Sequence, residues 1–184
     1  MIMREGYQYA YLWDEGAGSS CLAIEYVMTN AGPVIIGVLY DGTGGEETVR
    51  KVIGWFYEEA LPIIRERGLG RAVRNTFLQK KAFRDERLKV VLMFRKKTML
   101  FPKIPAEDGN RETDRFGGRG ILQISKQGYL LTSSDLCKAV SKEEFYRFLG
   151  KDGIGEKDAA LQELGRRAKV RDRSKNYAAV WIGR

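Results

Sequence analysis

VIIGVLY, residues 34 to 40, is an apolar run of strand length, and it narrows the folds open to this chain more than any other segment. A strand with apolar side chains on both faces has no solvent side, so it needs a covering layer on each. The run stops at one carboxylate, Asp41, and passes through Gly42, Gly44 and Gly45 before a different pattern begins. Val49, Val52, Ile53, Phe56, Ala60, Ile63 and Ile64 recur at three- and four-residue steps, the apolar stripe of a helix. Glu46 and Glu47 fall in its first turn, where the helix dipole favours anions. Pro62 is expected to kink or end that helix before Gly68.

The flanking segments read as further strands and helices. YQYAYLW and CLAIEYVM are strands with DEGAGSS (14–20) between them, and with VIIGVLY they predict a three-strand meander. Residues 70–86 read as a second, basic helix. LKVVLMF and TMLF form a hairpin joined at Arg95 to Lys97. The polar, glycine-bearing stretch 105–120 reads as a loop. GILQI and GYLLTSS are strands, and Ser141-Lys-Glu-Glu144 is a capping box that opens the helix EEFYRFL. EKDAALQELGRRAKV is an amphipathic helix with Ala160, Leu161 and Leu164 inward, and YAAVWIG is a last strand. This order predicts an α+β fold in a single domain over residues 1–184, with helices packed on mainly antiparallel sheets.

Composition removes several chemistries. With no histidine among 184 residues, Ser-His-Asp and Cys-His sites, H-E-x-x-H zinc sites and imidazole switches are all excluded. Any metal site has to be built from oxygen, which suits Mg²⁺ or Mn²⁺. Cys21 and Cys137 are far apart with no C-x-x-C pair, so neither a disulfide framework nor a zinc knuckle is suggested. No apolar run approaches the roughly 20 residues of a membrane helix. The start, MIMREGYQYAYLWDEG, lacks the basic and apolar regions of a secretory signal, so a cytoplasmic location without membrane contact is expected. Charge is uneven: residues 65–103 hold thirteen lysines and arginines against three acidic residues, in a chain of net +8. Such a block can meet nucleic acid, an anionic lipid surface or an acidic protein face, or simply form a solvated face.

A strand ending in D-G-x-G-G and followed by a helix brings together a carboxylate, an exposed carbonyl at Gly42 and backbone that a ligand can approach closely. A hard cation could use Asp41 and the Gly42 carbonyl together. The spacing is not G-x-G-x-x-G and no G-K-[ST] follows, so nucleotide binding is poorly supported. A turn with a helix-capping aspartate is the plainer alternative.

Four segments in order carry a resemblance. VIIGVLYDGTGG, REGYQYAYL (4–12), GYLLTSSDLCKAVSKEEF (128–145) and KNYAAVWI (175–182) resemble motifs of the metal-dependent 2C-type (PPM) Ser/Thr protein phosphatases, in their compact bacterial forms. The middle, 69–122, looks shortened. The resemblance implies two β-sheets packed face to face with helices outside, and a centre of two Mn²⁺ or Mg²⁺ ions. Those ions activate a water for in-line attack on phosphoserine or phosphothreonine.

Carried over residue by residue, the resemblance makes Arg4 the phosphate-binding arginine and Asp41 with the Gly42 carbonyl the metal-bridging pair. The family's other metal aspartates fall on Tyr9, Ser134 and Lys175. Neutral Tyr and Ser weaken a divalent-cation site, and an ammonium at Lys175 repels the metal. A register slip could let Asp135 replace Ser134, with Asp172 reaching in from the preceding loop. Alternatively, Lys175 could pair with Asp41 and stand where metal charge would be.

The leading expectation is therefore a pseudophosphatase that binds a phosphoprotein or a partner kinase in Ser/Thr phosphorylation signalling, with no firm cofactor. One alternative is an atypical Mn²⁺/Mg²⁺-dependent phosphatase using Asp41, Asp135 and Asp172. The other is a nucleic-acid-binding module working through the basic block.

Overall fold

Three strands come first in the computed structural model, which describes residues 6–14, 19–102, 120–150 and 156–184. They are β1 (Gln8–Trp13), β2 (Cys21–Thr29) and β3 (Gly32–Tyr40). Helix α1 (Glu46–Trp55) follows, joined through one wider turn at Phe56–Ala60 to α2 (Leu61–Arg67), and then come α3 (Arg71–Gln79) and the hairpin of β4 (Leu88–Phe94) and β5 (Lys97–Phe101). The last part holds β6 (Ile121–Ser125), β7 (Gly128–Thr132), α4 (Ser134–Ala139), α5 (Lys142–Leu149), α6 (Lys157–Arg171) and β8 (Ala178–Gly183). Arg4 and residues 105–119 of the polar stretch lie outside the described residues. Among the described residues, no helix is long and apolar enough to cross a membrane.

The strands make two four-stranded antiparallel sheets, ordered β1-β8-β7-β6 and β2-β3-β4-β5. Ile35, Leu39, Val91 and Met93 of one sheet meet Leu131, Ala178, Val180 and Ile182 of the other in a core between them. The alternate residues of β3 and β4, such as Ile36, Val38, Val90 and Leu92, pack outward on α1, α2 and α3. Ala10, Leu12, Leu130, Ala179 and Trp181 face α4, α5 and α6. The result is a helix–sheet–sheet–helix sandwich, the α+β arrangement expected. It explains why VIIGVLY carries apolar side chains on both faces. Gly37 brings the sheets close, because a Cβ there would collide with Ile182 Cδ1 and sit 3.3 Å from Val180 and Val91.

The opening meander is not formed: β1 pairs with β8, in the other sheet from β2 and β3. β8 is buried along its whole length, so both of its backbone edges must be hydrogen-bonded, and β1 and β7 supply those partners. Pro62 does not end the helix, because the wider turn before it, closed by Leu61 N–H donating to the Phe56 carbonyl, places proline in the first turn of α2. The basic helix over 70–86 stops at Gln79. A tight turn at Lys81–Phe83 then puts Phe83 against Trp55 and Phe77. The strand over GYLLTSS ends at Thr132, because the Ser133 hydroxyl accepts the Leu136 N–H and caps α4.

Candidate functional site

Antiparallel pairing brings the C-terminal ends of β1, β3 and β7 to the same end of the sandwich as the N-terminal ends of β2, β4 and β8. Cys21 and Leu88 both pair with Tyr40, while Ala178 pairs with Trp13 and Ala179 with Thr132. Asp41 lies just past this edge of β3. By the two-residue alternation of a strand it shares the inner face with Ile35 and Leu39, and Lys89 shares the inner face with Val91 and Met93. Both side chains therefore aim into the gap between the sheets.

They meet there. Lys89 Nζ is 3.1 Å from Asp41 Oδ2, with the lysine side chain only 3% exposed and the aspartate 17% exposed. The same carboxylate oxygen accepts the Ser134 N–H at 2.8 Å and the Ser134 hydroxyl. Ser20 Oγ donates to Asp41 Oδ1 at 3.4 Å and accepts the Gly42 N–H. Burial alone would raise the Asp41 carboxyl; the Lys89 charge and both Ser134 donors outweigh it and hold it below the usual carboxylate range.

The surroundings fix this cluster. Gly120, at φ +62°, crosses directly over the lysine: a Cβ there would lie 2.5 Å from the Thr132 carbonyl oxygen and 2.8 Å from Lys89 Cε. The Thr132 N–H donates to the Gly120 carbonyl at 2.8 Å. Ser133 Oγ also accepts the Ala178 N–H at 3.1 Å, which ties the start of α4 to β8. Thr132 Oγ1 contacts Cys137 Sγ at 2.6 Å, and burial pushes that thiol up to about 11, against the lowering pull of Thr132 and Lys89. A thiol so protonated is a poor nucleophile at neutral pH.

Of the residues singled out in the sequence, Asp41 and Ser134 are brought into contact. Ser134 and Asp135 sit on the first turn of α4 rather than on a strand, so no one-residue strand slip relates them. Asp135 lies 3.8 Å from Lys138 and 3.9 Å from Lys175. The expected pairing of Lys175 with Asp41 is thus replaced by Lys89 at Asp41 and Lys175 beside Asp135. Asp172 ends α6 and accepts the Ser174 N–H and hydroxyl at 2.9 and 2.6 Å, bonds within its own turn. Tyr9 pairs with Ile182 on β1, four residues from Trp13, or roughly 13 Å along the strand from the Asp41 end. Arg4 lies outside the described residues.

Lys89 is the residue that sequence reasoning misses, because it falls within the basic block. The signal that could find it is its phase, as the one charged residue in LKVVLMF and in step with Val91 and Met93.

This donor set does not fit a two-metal centre. Among the described residues no three acidic or cysteine side chains converge, and the carboxylate of Asp41 already faces a buried ammonium. A divalent cation at Asp41 would have to sit beside that charge or displace it.

No protein-family model matches this sequence, and no curated protein matches it. Among solved structures, the chain is similar to the phosphatase domain of the cell fate determinant SpoIIE from Bacillus subtilis, in a crystal form without domain swapping. The identity is 11%, the match covers 98% of this chain and 94% of that one, and the TM-score is 0.47.

Proposed function

We propose that this chain is a 2C-type phosphatase-like domain that works by binding, a pseudophosphatase whose partner is a phosphoprotein or a kinase in Ser/Thr phosphorylation signalling. One observation carries the reading: the carboxylate that the resemblance assigns to a metal is neutralised by Lys89 and closed by Ser134. Lys89 is buried under Gly120, so a metal that displaced it would leave an ammonium unpaired in a nearly dry site. The D-G-x-G-G corner then serves as architecture, with Asp41 joining β3 of one sheet to α4, which follows β7 of the other.

Hydrolysis of p-nitrophenyl phosphate in excess Mn²⁺ tests this reading. The expected rate equals that of the buffer with Mn²⁺ alone. Turnover that disappears in Asp41→Ala would establish an atypical metal-dependent phosphatase instead.

A further inference from the structure

The opposite end of the β2-β3-β4-β5 sheet carries a different feature. β4 and β5 are joined by a two-residue turn, because Phe94 pairs with Lys97, and the turn residues are Arg95 and Lys96. Arg95 adopts φ 53°, a left-handed conformation that glycine or asparagine takes more readily. Its guanidinium is held: Nε and Nη2 donate to the Ala31 carbonyl at 3.1 and 3.0 Å, above the Phe94 ring. Among the described residues, three of its five N–H groups have no hydrogen-bond partner.

Between this turn and the corner from α2 to α3 lies a depression of about 620 Å³, rimmed by Arg65, Arg67, Arg95, Lys96 and Lys97, with Glu66 the sole acidic residue among the described residues that line it. A second depression of about 530 Å³ adjoins it, sharing Ala31 and Arg65 and running along the turn from β2 to β3. Arg65, Arg67, Lys96 and Lys97 are exposed, and none forms an ion pair among the described residues. Elsewhere in the basic block three cations are paired, Lys80 with Glu59, Arg87 with Asp85 and Lys89 with Asp41, whereas the groove gathers its cations around one concavity. Ile64, Leu69 and Phe94 line the first depression from the apolar side.

We propose that this groove binds an acidic, extended segment of a partner protein. Five cations around one concavity repel each other and favour an anionic occupant. Arginine clusters recognise acidic motifs by bidentate hydrogen bonds, and a groove made of two joined depressions with apolar lining suits a chain with side chains on both sides of its backbone. Nucleic acid is the less fitting occupant, because single strands need exposed aromatic platforms and Phe94 is buried beneath Arg95. The inference deepens the binding reading above and rests on it for the kind of role alone. The groove's charge and shape owe nothing to Asp41, which lies roughly 30 Å away along β3.

Fluorescence anisotropy with a labelled ten-residue peptide of Asp, Glu and Leu tests it, beside the same peptide with Asn and Gln for the acids and a single-stranded DNA of equal charge. The acidic peptide should bind saturably, and the amide peptide at least tenfold more weakly. Arg65→Glu with Lys97→Glu, and separately Arg67→Glu with Lys96→Glu, should each weaken binding at least tenfold, while Lys126→Glu on the β6–β7 turn should not. Both pairs are exposed, and circular dichroism of each variant should match that of the wild type. Absence of acidic-peptide binding, equal binding of the amide peptide, indifference to both charge reversals, or tighter binding of the DNA would each overturn the proposal. None of these results bears on Mn²⁺-dependent hydrolysis, so failure here is distinct from failure of the reading at Asp41.

Discussion

Lys89 Nζ on β4 and Asp41 Oδ2 just past the end of β3 stand 3.1 Å apart at the mouth of the gap between the two sheets, under the backbone of Gly120. Removing one member of a buried pair leaves the other charged, desolvated and unmatched, a loss of about 3–5 kcal/mol. Because Asp41 keeps some solvent contact, the lower end applies here. Lys89→Ala is expected to lose about 3 kcal/mol in urea denaturation, and the double variant Lys89→Met with Asp41→Asn is expected to recover part of that loss. A Lys89→Ala protein as stable as wild type would show that the pair has no structural weight.

Gly120 tests the same packing from above. Its φ of +62° leaves little tolerance for a side chain, and a Cβ added there would crowd the Thr132 carbonyl and Lys89 Cε. Gly120→Ala should destabilise by about 1–3 kcal/mol through left-handed strain and displacement of the lysine. Thermal melts would check this, with Gly54→Ala as the control, since nothing lies within 4 Å of a Cβ there.

Acid should weaken the helical face formed by α5 and α6. The Arg171 guanidinium and then the Ser141 N–H hold the Glu144 carboxyl below its ordinary range, and Arg171 also reaches the Ala139 carbonyl. A carboxyl depressed in the folded state contributes its stability fully above the unfolded value of about 4.3, and loses it as pH falls through the folded value. The dependence of stability on pH should therefore be shallower below about pH 5 in Glu144→Gln than in wild type. Parallel curves from urea melts between neutral pH and about pH 3 would contradict this.

Much of the fold is legible because the apolar patterns are strong. The two-faced run at 34–40, the helical stripe from Val49 and the Ser141 capping box each name their element correctly. Pairing is less legible: seven residues separate Trp13 from Cys21, a spacing that serves a hairpin as well as a crossing between sheets, and the buried edges of β8 decide the outcome. At the site, motif order locates Asp41 and Ser134. The cation facing them cannot be found that way, because Lys89 belongs to no motif and lies 48 residues from Asp41 in the chain. Only the strand phase of LKVVLMF, combined with knowledge of which face turns inward, points to it.

Calorimetric titration of the wild-type protein with Mn²⁺ at neutral pH distinguishes an Asp41 neutralised by the Lys89 ammonium from one that holds a divalent cation. No saturable heat is expected up to millimolar Mn²⁺. Two-site binding at micromolar concentrations, abolished by Asp41→Ala, would contradict it.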